Sequence, residues 1–167
     1  ADAGRAAFDY VRTGIELALA GKIAAIATAP IHKEALKAAG VPYPGHTEML
    51  QAEAAAHLGL PVGDVPVRMM LANDELRTVL VSIHVSLRSA IDAVTVDNVL
   101  QTLLITHSAL SRLLGCAPRI AVAGLNPHAG EGGLFGREEI DVIAPAMAAA
   151  RAQGCLVSGP WAPDTVF

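Results

Sequence analysis

The sequence has little of what would take it out of the ordinary globular class. Charged residues are only 17% of it and hydrophobic ones 53%. A disordered chain shows the reverse balance, with too little apolar surface to collapse, so disorder is excluded and one ordinary domain has ample material for a core. The two cysteines, Cys116 and Cys155, are too few for a disulfide framework and lack the short spacing of a metal motif. A reducing, cytoplasmic setting is therefore the expectation. There is no run of Lys or Arg, and 12 basic against 16 acidic residues leave a net charge of -4. Nothing in that distribution neutralises a phosphate backbone, which excludes nucleic-acid binding on electrostatic grounds. The longest stretch without Asp, Glu, Lys or Arg spans 98–111, short of the roughly 18 apolar residues that a membrane-spanning helix needs.

What is present is an alternation of helical and strand-like periods. Ala7, Phe8, Val11, Ile15 and Leu19 recur at three- and four-residue steps, which predicts a helix over 2–20 closed by Gly21 and Lys22. Residues 23–28 read as a short parallel strand, buried because it is apolar on both faces. Helices are expected over 33–39 and 47–58, separated by prolines and a glycine in 41–46 that exclude regular structure. Residues 67–72 and 76–84 read as a hairpin about Asn73-Asp74. Beyond it come a long helix over 92–114, a buried strand over 119–124, a helix over 137–153 kinked or broken at Pro145, and a last strand over 155–158. The class expected is α/β: a layered mixed sheet with flanking helices.

Four polar clusters fall where strands end or helices begin, the places where open α/β sheets bind ligands. They are His32-Lys33, Gly45-His46-Thr47-Glu48, His84, and Gly124-Leu125-Asn126-Pro127-His128-Ala129-Gly130-Glu131-Gly132-Gly133. Thr47 is the expected N-cap of its helix, and such a helix start also suits an anion. The last cluster is costly in backbone entropy, and loops of that composition serve to bring amides or a fixed side chain against a ligand. It does not satisfy G-x-G-x-x-G, because the count from Gly130 passes Gly132 and lands on Phe135. His57 and His107 lie inside helical periods and take no role. His46, His84 and His128 converge, on this reading, at the rim of a sheet where they can hold a divalent metal, although long separations carry no diagnostic spacing.

Three of these strings, Thr28-Ala29-Pro30-Ile31-His32-Lys33, Gly45-His46-Thr47-Glu48 and the 124–133 segment, closely resemble the 4-hydroxythreonine-4-phosphate dehydrogenase family. Gly159-Pro160-Trp161-Ala162-Pro163-Asp164-Thr165 resembles the family's following motif, and order and spacing agree along the chain. The resemblance implies a fold similar to the isocitrate and isopropylmalate dehydrogenases, and cytoplasmic homodimers with active sites at the subunit interface. It implies oxidation of the secondary alcohol of 4-phosphooxy-L-threonine by NAD or NADP. Loss of carbon dioxide then gives 3-amino-2-oxopropyl phosphate, in the biosynthesis of pyridoxal phosphate. By the same resemblance His84 and His128 are metal ligands, His46 and Thr47 contact the phosphorylated hydroxy acid, and Asp164 is an active-site carboxylate near the metal. The metal implied is zinc first, with magnesium or cobalt as alternatives. Around His84, Ser82-Ile83-His84-Val85-Ser86 departs from the family's more usual Thr-Thr-His-Leu-Pro, with the histidine itself retained.

The family's third metal histidine, in a Tyr-His-Asp-Gln motif, and its amino-terminal Pro-Gly-Glu-Pro-type segment are not in these residues. With an opening Ala-Asp-Ala-Gly-Arg that lacks a starting Met, residues 1–167 read as a single central segment of a longer dehydrogenase. A catalytic zinc takes three ligands from protein, so the chain alone is expected to fold around its sheet without catalysing. Turnover of NAD on the substrate by material of this length would refute that. Two other readings remain open at this stage. Thr28-Ala29-Pro30 in place of Thr-Gly-Pro suits a family member acting on 4-phospho-D-threonate, 4-phospho-D-erythronate or an aromatic dihydrodiol. A non-catalytic ligand-binding fragment would leave the histidines structural.

Overall fold

A computed structural model describes residues 2–167 and divides into two compact units, Ala1–Val67 and Arg68–Phe167. The first holds three helices, α1 (Asp2–Leu19), α2 (Lys33–Ala38) and α3 (His46–Leu58), and a single turn at Val62–Asp64. The face of α1 anticipated from its periodicity is the one buried. Phe8, Val11 and Ile15 pack with Leu36, Val41 and Met49 in one apolar cluster. On its solvent side Arg5–Asp9 and Arg12–Glu16 pair one helical turn apart. Gly4 lies where α1 meets α2, and a side chain there would run into the Ala35 carbonyl. His32 closes the front of α2, its Nδ1 accepting from the Ala35 amide at 3.3 Å.

Two expectations for this unit need correction. Residues 23–28 are not a strand; they are irregular, mostly exposed, with Ile26 turned towards Gly14 of α1. A strand exists only as part of a ladder that satisfies its N–H and C=O groups, and no described residue of the unit pairs with this stretch. Nor does Thr47 cap α3. Gly45, in extended conformation, is the N-cap, and its carbonyl already accepts from Met49 N at 3.3 Å, so the helix starts at His46.

The second unit holds a hairpin of β1 (Met70–Ala72) and β2 (Arg77–Val79), helices α4 (Leu87–Asp92), α5 (Val96–Leu114) and α6 (Ala144–Ala152), and strands β3 (Arg119–Ala123) and β4 (Leu156–Trp161). Asn73 makes the hairpin turn, its Oδ1 accepting from Glu75 N at 2.9 Å and Leu76 N at 2.6 Å. Instead of one mixed sheet there are two separate pairs, β1–β2 antiparallel and β3–β4 parallel. The hairpin's second strand also ends sooner than expected. After Leu80 N bonds Met69 O, the Val81 carbonyl turns to the Asn98 side chain on α5, so His84 sits in a loop rather than at a strand end. The long helix begins at Val96 because Thr95 Oγ1 accepts from Asn98 N and starts it afresh after α4.

Between β3 and β4 the chain crosses over through a wide helical turn, Glu139–Ile143, that passes into α6. The change of winding falls just before Pro145, the residue that signalled a break. Val99 and Leu103 of α5, Ile143, Ala146, Met147 and Ala150, Cys155 just before β4 and Val157 within it form one core. Arg68 ties the start of the unit to α5: its Nε donates to Thr102 Oγ1 at 2.8 Å, and its Nη2 to Asn98 Oδ1 at 2.6 Å and Gln101 Oε1 at 2.7 Å. Among the described residues no helix is long and apolar enough to cross a membrane.

Candidate active site

Because β3 and β4 run parallel and side by side, the segments that follow them leave from the same edge. The glycine-rich segment follows β3, and the turn carrying Asp164 follows β4; the Gly124 amide donates to the Trp161 carbonyl at 2.7 Å between the two exits. Asp164 is exposed in a turn closed by Thr165 N on Ala162 O at 3.1 Å. This is the edge at which a βαβ unit binds ligands.

The backbone after β3 is unusual. Residues 128–132 are all left-handed, with φ of 52° at His128, 52° at Ala129, 80° at Gly130, 44° at Glu131 and 64° at Gly132. For an L-residue that region costs about 1–2 kcal/mol, and His128, Ala129 and Glu131 each bear it. Apart from these three, the only non-glycine residue at positive φ among those described is His84, at 55°. Both histidines implied as ligands therefore stand on backbone that an imidazole-bearing residue adopts at a cost. Strain of this kind persists where surrounding structure enforces it, and it concentrates at functional sites. Both side chains are exposed; His128 makes a tilted ring contact with Phe135 at 6.1 Å between centroids.

Against this turn lies a buried carboxylate that sequence reading passed over. Glu139, 3% exposed, accepts at one oxygen from Leu125 N and Asn126 N, both at 2.7 Å, and at the other from Asn126 Nδ2 at 3.0 Å. Asn126 Nδ2 also donates to Glu138 Oε2 at 2.6 Å. Burial pushes the Glu139 carboxyl up, but the Asn126 side chain and the amides of Asn126, Leu125 and Glu139 itself outweigh it and hold it below the usual glutamate range. A signal for Glu139 was available in the sequence. It lies on the stripe that continues through Ile143, Ala146, Met147 and Ala150, an acid where the helical period demands a core residue.

That depressed value predicts a pH dependence. Since the folded state holds the carboxylate more firmly than the unfolded chain, Glu139 contributes stability above the ordinary glutamate pKa. This is lost as pH falls through the lower, folded value. Denaturant midpoints measured from neutral to acid pH should fall along that limb, and Glu139→Gln should flatten it. An unchanged slope in the variant would remove Glu139 as the cause.

The remaining candidates are placed plainly. His84 is in the loop between β2 and α4 of the second unit, and His46 and Thr47 open α3 in the first. His46 Nε2 is buried without a hydrogen-bond partner among the described residues. Among the described residues no group of three or more His, Cys, Asp or Glu is arranged to hold a metal ion.

Fold and site together define a mixed α/β protein whose ligand edge follows a parallel strand pair and is built on a strained, glycine-rich turn. Comparison makes this specific: the family model for "Pyridoxal phosphate biosynthetic protein PdxA" matches residues 1–167, and the chain belongs to that family. A 4-hydroxythreonine-4-phosphate dehydrogenase from Beijerinckia indica subsp. indica is 56% identical over 164 residues, covering 98% of this chain and 46% of the relative. The crystal structure of a 4-hydroxythreonine-4-phosphate dehydrogenase from Klebsiella pneumoniae matches with a TM-score of 0.87 at 46% identity, over 98% of this chain and 47% of its own. A terephthalate 1,2-cis-dihydrodiol dehydrogenase from Burkholderia xenovorans LB400 matches with a TM-score of 0.68 at 33% identity, over 96% of this chain and 49% of its own. The chain thus spans about half the length of the curated relatives it matches.

Proposed function

We propose that this chain is part of an NAD- or NADP-dependent dehydrogenase that oxidises the secondary alcohol of 4-phosphooxy-L-threonine. The product loses carbon dioxide to give 3-amino-2-oxopropyl phosphate, a step in pyridoxal phosphate biosynthesis. Family membership supports the reaction. The structural observation that carries it to particular residues is the left-handed backbone shared by His84 and His128.

The donor set fits a divalent metal. Both candidate ligands are exposed imidazoles, and neither is occupied by a hydrogen bond from the described residues. Neutral imidazole suits zinc and cobalt without cancelling their charge; magnesium, which prefers oxygen, fits this pair less well. His84 and His128 would hold the ion, with a further ligand from outside the described residues. A bound divalent ion supplies Lewis acidity that lowers a substrate hydroxyl's pKa and stabilises charge on the keto product. His46, whose buried Nε2 has no hydrogen-bond partner among the described residues, and Thr47 beside it would take substrate oxygens at the start of α3. Asp164, exposed at the edge shared with His128, would place a carboxylate near the alcohol. The nicotinamide accepts the hydride, and the protein supplies placement. An isocitrate dehydrogenase-like fold, a homodimer with the site at its interface, and a cytoplasmic location complete the proposal.

A second reading is favoured by Thr28-Ala29-Pro30 and by the likeness to a dihydrodiol dehydrogenase. In it the same site oxidises a phosphorylated sugar acid or a cis-dihydrodiol. The test is reduction of NAD and NADP by the whole dehydrogenase of which this chain is a part, on 4-phosphooxy-L-threonine, 4-phospho-D-threonate, 4-phospho-D-erythronate and a cis-dihydrodiol. Preference for the first confirms the substrate, and preference for another moves it. No turnover with any, together with a metal content indifferent to His84→Ala and His128→Ala, would leave a ligand-binding role.

A further inference from the structure

We infer that Glu139 is the positioning residue of this site: its carboxylate latches the entrance of the left-handed turn, and so sets where His128 points. One oxygen holds the Leu125 and Asn126 amides, the first steps out of β3; the other holds the Asn126 side chain. The same carboxylate also lies against the turn itself. A Cβ on Gly130 would come within 2.7 Å of Glu139 Oε2, and one on Gly124 within 3.0 Å of Oε1. The carboxylate thus reaches from Gly124, the first residue after β3, to Gly130 in the middle of the turn, with His128 between the two contacts. Gly130 is itself buried, so the contact is closed to water. Glu139 needs nothing from the substrate to do this, and nothing in the helical turn Glu139–Ile143 that carries it requires an acid at a core position. An apolar side chain would fill the stripe but would leave two half-buried backbone amides unpaired. Asn126 extends the latch by tying Glu138 to the same knot.

The consequence for metal binding rests on His128 being a ligand, as proposed above. Groups that orient a ligand from outside the coordination shell typically change metal affinity by about 10–100-fold when removed. The test has two readouts, so that the latch and the metal reading can fail separately. The first is amide hydrogen exchange of this chain without metal, in wild type, Glu139→Gln and Glu139→Asp. Gln keeps the shape but cannot accept at both ends, and Asp keeps the charge but falls short. Exchange over 124–135 is expected to quicken about tenfold in Glu139→Gln, with α5 unchanged and partial recovery in Glu139→Asp. Asn126→Ala, which removes the side chain held by the second carboxylate oxygen, should loosen the same segment and serves if Glu139→Gln does not fold. The second readout is Zn2+ affinity by competition with a chromophoric chelator, expected to weaken about tenfold in Glu139→Gln. Unchanged exchange over 124–135, or loosening spread equally through α5, overturns the latch. If the segment loosens as expected but wild type and His128→Ala bind Zn2+ alike, the latch stands and the assignment of His128 as a ligand falls.

Discussion

His84→Ala and His128→Ala should each lower Zn2+ affinity by at least about 100-fold, since losing a ligand exceeds the effect of losing a group that merely orients one. The double variant should be hardly worse than either single, because the two imidazoles act as one unit and a half-dismantled site has little left to lose. Metal content after equilibrium dialysis measures this, with His57→Ala, on the exposed end of α3, as the control expected to match wild type. Replacement by glycine separates chemistry from folding. At φ of 52°, His128→Gly removes the left-handed penalty and should stabilise the fold by about 1 kcal/mol while abolishing its share of the metal site. A position that becomes more stable when its side chain is deleted is kept for what the side chain does. Retention of Zn2+ by His84→Ala and His128→Ala alike would end the ligand assignment.

Met147→Ala should be the most damaging single truncation in the second unit, at about 2–5 kcal/mol. Met147 is 1% exposed in a core whose neighbours, Ala146 and Ala150, are already alanine. They have no side chain to swing into the gap, so the cavity stays open. Denaturant unfolding followed by Trp161, the one tryptophan of the sequence and a residue of β4, reports on this unit specifically. Leu113→Ala, on the same core's neighbouring helix but 66% exposed, should stay within about 0.5 kcal/mol. Equal losses in the two variants would mean that burial here does not measure contribution.

Helix α1, with its buried Phe8, Val11 and Ile15, was legible because three-and-four spacing is a local property that the chain carries wherever it packs. The Asn73 turn was legible for the same reason, as its hydrogen bonds reach only two and three residues ahead. Residues 23–28 were not, because apolarity says a segment can be buried and not what lies beside it. The end of β2 was hidden likewise: it depends on Asn98, seventeen positions beyond the Val81 carbonyl it claims. His84 and His128 could be singled out as residue types in suggestive places. That both stand on left-handed backbone could not, since only glycine announces that conformation in a sequence.

Scarcity of charge, of cysteine and of long apolar runs determined by itself that this chain folds around a core, because composition limits what a chain can bury, and alternating helical and strand-like periods determined that the class is mixed α/β. Its motifs determined the family, because strings such as 124–133 are dense enough in glycine and polar residues to be specific. Tertiary structure alone decided that β3 and β4 pair in parallel and that Glu139 turns back from the helix beyond to clamp the Leu125 and Asn126 amides. Those are contacts between residues far apart in sequence. Their energies depend on burial and distance, which exist only once the chain has folded.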